Sequence, residues 1–182
     1  ETISMGADQA ILLSDRAFAG ADTLATSYAL AKGVERIGEY DLIICGKQAI
    51  DGDTAQVGPG MAEKLGIPHV TYVRKIHEIA DGRITLERMT EEGAEKLRFA
   101  LPGLITVVKE INEPRLPSLK GKIKAKSAEI PVWSAEEIGA DENKVGLKGS
   151  PTWVMKIFTP LQKSRGEILE GSPQEQVSAL VE

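Results

Sequence analysis

Through the first part of the chain, short apolar runs alternate with stretches whose apolar positions recur at helical spacing. Residues 10–13 (AILL), bounded by Ser14 and Asp15, predict a buried strand. Asp22 or Thr23 can then cap a helix. Its broad apolar face would be Leu24, Tyr28 and Ala31, flanked by Leu30, Val34 and Ile37, and Gly38 can end it. Residues 41–45 (DLIIC) predict a second buried strand, followed by a loop over 46–53. A helix including residues 61–65 comes next, stopped by Gly66 with Pro68 beyond. Residues 70–73 predict a third strand. The order β-α-β-α-β implies parallel strands joined by crossover helices. The expected fold class is therefore α/β: an open, mostly parallel sheet with helices on both faces.

The rhythm then changes. Residues 70–79, 83–89 and 95–101 read as an antiparallel meander, separated by Asp81-Gly82 and Glu92-Gly93, both hairpin signals. Residues 104–108 (LITVV) are a further buried strand. Beyond Lys109 the chain is broken by Pro114, Pro117, Gly146, Gly149, Pro151, Pro160, Gly166, Gly171 and Pro173. Ser134 with Glu137 forms a capping box for a short helix over 135–138. Trp153, Val154, Ile157 and Phe158 need burial, yet the tail has too little periodic apolar content for a core of its own. Two parts are expected: an α/β domain over residues 1–130, and over 131–182 an extended C-terminal arm that packs on another surface.

Charge changes this picture at one place. The net charge is −5 over 182 residues. Residues 107–129 carry +3, against −5 before them and −3 after. An acidic chain lacks the basic footprint of nonspecific nucleic-acid binding. Lys120, Lys122, Lys124 and Lys126 recur at every second residue and would share one face of an extended segment. Such a face serves either as a solvated edge or as a docking patch for an acidic partner protein. No apolar run approaches the ~18 residues of a membrane span. A single cysteine, Cys45, allows no internal disulfide and suits a reducing compartment. Glu1 is not a Met, and no charged and apolar leader pattern follows it, so the start is not read as a signal peptide.

The strongest chemical candidate is the loop after the second strand: Gly46, Lys47, Gln48, Ala49, Ile50, Asp51, Gly52, Asp53, Thr54, Ala55, Gln56 and Val57. Open α/β sheets bind ligands outside the carboxyl ends of their strands. A helix N-terminus there offers free N–H groups to a phosphate. Gly52 could let the backbone turn sharply, and Thr54 and Gln56 offer side-chain hydrogen bonds. The pattern serves equally a plain loop with Asp53 as N-cap. It is neither a P-loop nor a G-x-G-x-x-G fingerprint. Pro59 fits best as the first helical residue, so the helix would start near Gly58 or kink in its first turns. A second loop, residues 15–23, also joins a strand to a helix, so one ligand could touch both loops. Catalytic constellations are weak. His69 and His77 are too far apart in a strand to share a metal, and Cys45 reads as a small buried hydrophobe. No nucleophile–base pair stands out, which favours binding or cofactor-carried chemistry.

Residues 45–59 (CGKQAIDGDTAQVGP) resemble the nucleotide-binding segment of the electron transfer flavoprotein beta subunit, as do 112–120 (NEPRLPSLK), 124–126 (KAK) and 146–152 (GLKGSPT). The resemblance runs from Ala7 nearly to the C-terminus. It implies a cytoplasmic carrier subunit, not an enzyme in itself. Such a subunit pairs with an alpha subunit and passes electrons between acyl-CoA or other flavoprotein dehydrogenases. It implies that the loop over 46–57 holds AMP or, in bifurcating members that oxidise NADH, an FAD. A further FAD would sit mainly on the alpha subunit. Residues 51–57 and 15–23 look like the bifurcating type, which favours FAD. Residues 107–129 correspond to the family's recognition loop, with Leu116 as its apolar anchor and Leu119 just beyond. Lys120, Lys122, Lys124 and Lys126 would then be the rim of that docking site, and the tail would wrap onto the alpha subunit. The family has strands, a K-Q-V-P-D-like loop and a helix before the position of Ala7, and it often carries an acidic residue where Met89 stands. A non-redox nucleotide-binding adaptor on the same scaffold is the competing class.

Overall fold

A computed structural model describes residues 1–159, 166 and 168–181. Pro160 of the punctuated tail lies outside the described residues. The central sheet has five strands: β2 (Leu42–Gly46), β3 (His69–Ala80), β4 (Arg83–Thr90), β5 (Gly93–Ala100) and β6 (Gly103–Val107). Their spatial order is β2-β6-β3-β4-β5. The pairs β2–β6 and β6–β3 are parallel, whereas β3–β4 and β4–β5 are antiparallel. The α/β class and the meander thus follow the sequence pattern. The short third strand and the first meander strand are one element, β3, which belongs to both halves of the sheet. The hairpin at Asp81-Gly82 has both residues at positive φ, 52° and 66°. That suits a turn matching the strand twist. The second hairpin turns on Glu91-Glu92, one residue earlier than the sequence signal, and Gly93 opens β5.

Helices α1 (Thr23–Ile37) and α2 (Val57–Leu65) pack on each other and on the sheet. Alternation along β2 and β6 sends Ile43, Cys45 and Leu104 to this side, where Met61, Ala62, Leu30 and Val34 cover them. Leu42, Ile105 and Val107 point the other way. They meet Ile84, Leu86, Leu97 and Phe99 from the curled meander. Among the described residues, both long helices therefore share one face and the meander closes the opposite one. Val73, Ile84, Leu86, Leu104 and Ile105 are fully buried. Each such side chain contributes about 1.5–3 kcal/mol of transfer free energy. In α1 the buried positions are the small residues Ala25, Ser27, Ala29, Ala31 and Gly33, whereas Leu24 and Ile37 from the expected apolar face are about half exposed. Small residues let the two helices approach closely.

Two expectations change. The 10–13 strand is not part of the parallel sheet. Only β1 (Leu12–Leu13) is extended, and it pairs with a short strand far along the chain, Val132–Trp133. That partner arrives from beyond the whole α/β unit, a pairing that local periodicity cannot register. The alternating lysines do not form an extended face either. Residues Leu119–Ser127 are a helix, α3, capped by the Ser118 hydroxyl, which accepts the Gly121 N–H at 3.0 Å. The pair Val132–Trp133 is β7, and Pro173–Val181 is α4.

The region after β7 is more ordered than its punctuation suggests. Ser134 and Glu137 make the reciprocal capping-box bonds, at 2.8 and 3.2 Å, but enclose a single turn that ends at Gly139 (φ 63°). Ala135, Ile138 and Val145 are buried. Asp15 accepts the Ala135 N–H at 2.9 Å, and the Tyr28 hydroxyl accepts that of Asp141 at 3.0 Å. Residues 134–150 thus fold back on the first loop and on α1. Beyond Thr152 the chain leaves this surface, and Trp153, Val154, Met155, Ile157 and Phe158 are exposed.

Candidate functional site

The 46–57 loop leaves the carboxyl end of β2. Gly46 is the last ladder residue, opposite Val107, and the Lys47 N–H donates to the Val107 carbonyl at 3.0 Å. Ala49, Asp51, Gly52 and Thr54 are exposed, and Ile50 projects wholly into solvent. The Asp53 N–H closes the turn on the Ala49 carbonyl at 3.0 Å, and the Gln48 side-chain amide donates to the Asp53 carboxylate. The residues that turn left-handed are Asp53 (φ 49°) and Ala55 (φ 54°), not Gly52. Asp is among the few residues that tolerate this region, because its short side chain can bond locally.

Asp53 does not cap α2. The N-cap is Gln56, and its side chain makes no capping bond. Its Oε1 instead accepts the Thr23 hydroxyl at 2.8 Å. This bond joins the starts of α1 and α2, so the 15–23 loop and the 46–57 loop meet even though β1 stands outside the main sheet. Helix α2 begins at Val57, which puts Pro59 in the first turn, where a missing N–H costs no intrahelical bond. Gly58 lets this turn lie directly on the sheet: a Cβ there would come within 2.5 Å of the Thr106 methyl. Thr106 is itself buried, and its hydroxyl oxygen accepts the Tyr72 N–H at 3.1 Å.

The acids of the first loop are structural. Asp22 caps α1 through the N–H groups of Leu24 and Ala25. The N–H donors of Ala17 and Ala135 hold the Asp15 carboxyl below its ordinary range. Burial pushes the Cys45 thiol up, in keeping with a packed side chain, not a thiolate nucleophile. His77 lies 3.4 Å from Glu87 on the meander, away from the loop.

The second candidate surface is α3 and its approach. Leu116, Leu119 and Ile123 are 88%, 77% and 63% exposed. At 100° per residue, Leu119 and Ile123 form one stripe. Lys120 and Lys124 flank it on one side, and Lys122 and Lys126 on the other. The lysines thus make two rows around an apolar strip. Ile123 escaped the sequence reading because the segment read as extended; Ser118, directly after Pro114-Arg115-Leu116-Pro117, was the available cap signal. The opposite side of α3 rests on a 3-10 turn at Thr2–Met5, in which Ile3 is buried. A Cβ on Gly121 would collide with the Ser4 carbonyl oxygen.

A family model described as "Electron transfer flavoprotein domain" matches residues 1–138. The electron transfer flavoprotein subunit beta of Thermoanaerobacterium thermosaccharolyticum is 51% identical, covering 100% of this chain and 70% of that protein. The same subunit from Megasphaera elsdenii is 50% identical over 93% of this chain and 65% of its own length. Caffeyl-CoA reductase-Etf complex subunit CarD of Acetobacterium woodii is 46% identical over 98% and 68%. The chain thus spans roughly two thirds of the length of such relatives. The matched domain and the subunit names of these relatives place the chain in the electron transfer flavoprotein beta-subunit family.

Proposed function

We propose that this chain is the beta-subunit portion of a heterodimeric electron carrier that binds FAD on the 46–57 loop and serves flavin-based bifurcation from NADH. The observation that carries this reading is the junction of two loops at one point. The 15–23 and 46–57 loops are tied by Thr23 and Gln56, beside an α2 N-terminus that has no side-chain cap. The first-turn N–H groups of α2, the exposed Thr54 hydroxyl and the Gln56 side-chain amide N–H suit the diphosphate of a dinucleotide. When bound, the flavin supplies the electron-transfer chemistry, and the protein binds and orients it. The exposed residues 153–158 support an arm covered by the alpha subunit. The Leu116–Leu119–Ile123 strip with its lysine rows supports docking of an acidic-rimmed dehydrogenase. AMP in the same site would leave the subunit a simple carrier.

The test is the visible spectrum and nucleotide content of the full-length subunit purified with its alpha partner. Two flavins per heterodimer are expected. One flavin plus AMP assigns the simple carrier, and absence of flavin removes both redox readings in favour of a nucleotide-binding adaptor.

A further inference from the structure

A cleft of about 480 Å³ lies between α1, the last turn of α2 and the returning segment 143–151. It shares no residue with the 46–57 loop, the α3 strip or the exposed arm. Leu24 and Tyr28 reach it from α1, Lys64 from α2, and Lys144, Lys148 and Pro151 from the returning segment. None of the residues lining it is acidic. In a chain of net charge −5, three lysines around one hollow are an unbalanced arrangement.

The backbone holds two of these lysines in place. The Gly149 N–H donates to the Val145 carbonyl at 3.0 Å, a helical turn that brings Lys144 and Lys148, four residues apart, to one side. A Cβ on Gly149 would collide with the Lys144 carbonyl, so the turn closes this tightly only on glycine. The buried Ser150 hydroxyl donates to the Gly146 carbonyl at 2.7 Å and accepts the Asp22 N–H at 2.8 Å, which ties the turn to the head of α1. On the facing wall, the Tyr28 hydroxyl accepts the Asp141 N–H. The ammonium groups of Lys64 and Lys144 each lie 5.8 Å from the Tyr28 ring centroid. An aromatic face attracts cations and so draws these two together. Lys144 has the Asp141 carboxylate at 3.8 Å, whereas among the described residues Lys64 and Lys148 have no carboxylate within 4 Å.

We propose that this cleft binds a small polyanion with at least two phosphate groups. Lysine is a compact point charge that serves well for phosphate. One phosphate group carries up to about two negative charges, so three lysines match a diphosphate or triphosphate better than a single phosphate or a carboxylate. Such a ligand offsets the mutual repulsion of the three ammonium groups. Leu24, about half exposed, and Pro151 give the hollow an apolar side. Inorganic polyphosphate and nucleoside polyphosphates share the required chemistry. The proposal stands apart from the cofactor reading of the 46–57 loop.

The full-length heterodimer, carrying its own nucleotides, is titrated calorimetrically with tripolyphosphate and separately with ATP. Tripolyphosphate is expected to bind, and to bind more weakly as salt rises. Lys64→Gln with Lys148→Gln should weaken it tenfold or more and leave the content of flavin and AMP unchanged. Lys75→Gln with Lys96→Gln removes the same charge from exposed positions on β3 and β5, and should change affinity less than twofold. ATP binding more tightly than tripolyphosphate assigns a nucleoside polyphosphate whose organic part lies against Leu24 and Pro151. Equal or weaker binding of ATP assigns the phosphate chain alone, and either result supports the site. The site is overturned if neither ligand binds the wild-type complex, or if the first double variant loses no more affinity than the second.

Discussion

Thr152 donates both its backbone N–H and its hydroxyl to Oδ2 of Asp22, at 3.2 and 2.9 Å. Oδ1 of the same carboxylate accepts the Leu24 and Ala25 N–H groups at 2.9 and 3.1 Å and so caps α1. One side chain thus fixes the first turn of a helix and the point where the arm departs. Desolvation works to raise the Asp22 pKa, but the donors from Ala25, Thr152 and Leu24 outweigh it and hold the carboxyl below its ordinary 3.8. A depressed folded pKa stabilises the protein above the unfolded value, and this contribution is lost as pH falls through the folded one. Asp22→Ala is expected to cost about 1–2 kcal/mol near neutral pH, as for other lost N-caps. In urea melts the deficit should hold steady near neutrality and shrink below pH 3.8. A deficit that does not change on acidification would contradict this assignment.

Gly121→Ala should unseat α3. The added methyl meets the Ser4 carbonyl oxygen, a backbone atom in a turn anchored by buried Ile3, so neither side can give way cheaply. Overpacking of this kind costs about 1–3 kcal/mol. Hydrogen exchange over residues 119–127 should accelerate while the β3–β5 meander keeps its protection. Equal protection in both proteins would show that the 3-10 turn does not hold the helix.

The regular parts of this fold were legible because their signals are local. Apolar runs marked β2 and β6, Gly66 marked the end of α2, and Asp81-Gly82 marked a hairpin. The β1–β7 pairing was not legible, because Leu12 and Val132 are brought together only by everything folded between them. The lysine spacing misled because a period of two suits a strand, whereas Ser118 and the helix-forming Leu, Lys and Ala residues suit a helix. In the site, the position of the loop was readable from its place after a buried strand. Its left-handed residues were not, because Asp53 and Ala55 took the conformation that Gly52 seemed to offer. The extra residue where β3 slips against β6 between Val70 and Val73, with Tyr72 at φ 59°, has no sequence signature at all.

Gly58→Ala tests how α2 is seated. The new Cβ would press on the Thr106 methyl at 2.5 Å, with Cys45 and Leu104 close behind. The first turn of α2 must then lift from the sheet, at a cost of about 1–3 kcal/mol. Because that turn carries the unpaired N–H groups beside the loop, nucleotide affinity should fall along with the melting temperature. Gly66→Ala, at the far end of α2 where a Cβ meets nothing within 4 Å but φ is 66°, should lower stability and leave nucleotide affinity alone. Similar losses of affinity in both variants would remove the special role of the N-terminal turn.

The docking strip predicts a division of labour that kinetics can separate. On the proposed docking reading Leu116, which is exposed, carries the apolar contact, so Leu116→Ala should act mainly on dissociation from the dehydrogenase. A tenfold weaker complex, about 1.4 kcal/mol, is the expected size. Its flavin content should be unchanged, because the strip lies on α3 and its approach, not on the 46–57 loop. The lysines are exposed and sit in two rows, so each contributes little once docked but adds to long-range attraction. Replacing Lys122 and Lys126 together by Gln should slow association and flatten its dependence on salt. Ile123→Ala should behave like Leu116→Ala, because it extends the same strip. Stopped-flow electron exchange with the dehydrogenase at several salt concentrations distinguishes these effects. If Ile123→Ala left dissociation unchanged while Leu116→Ala accelerated it, the contact would end at the loop and α3 would serve only to present it.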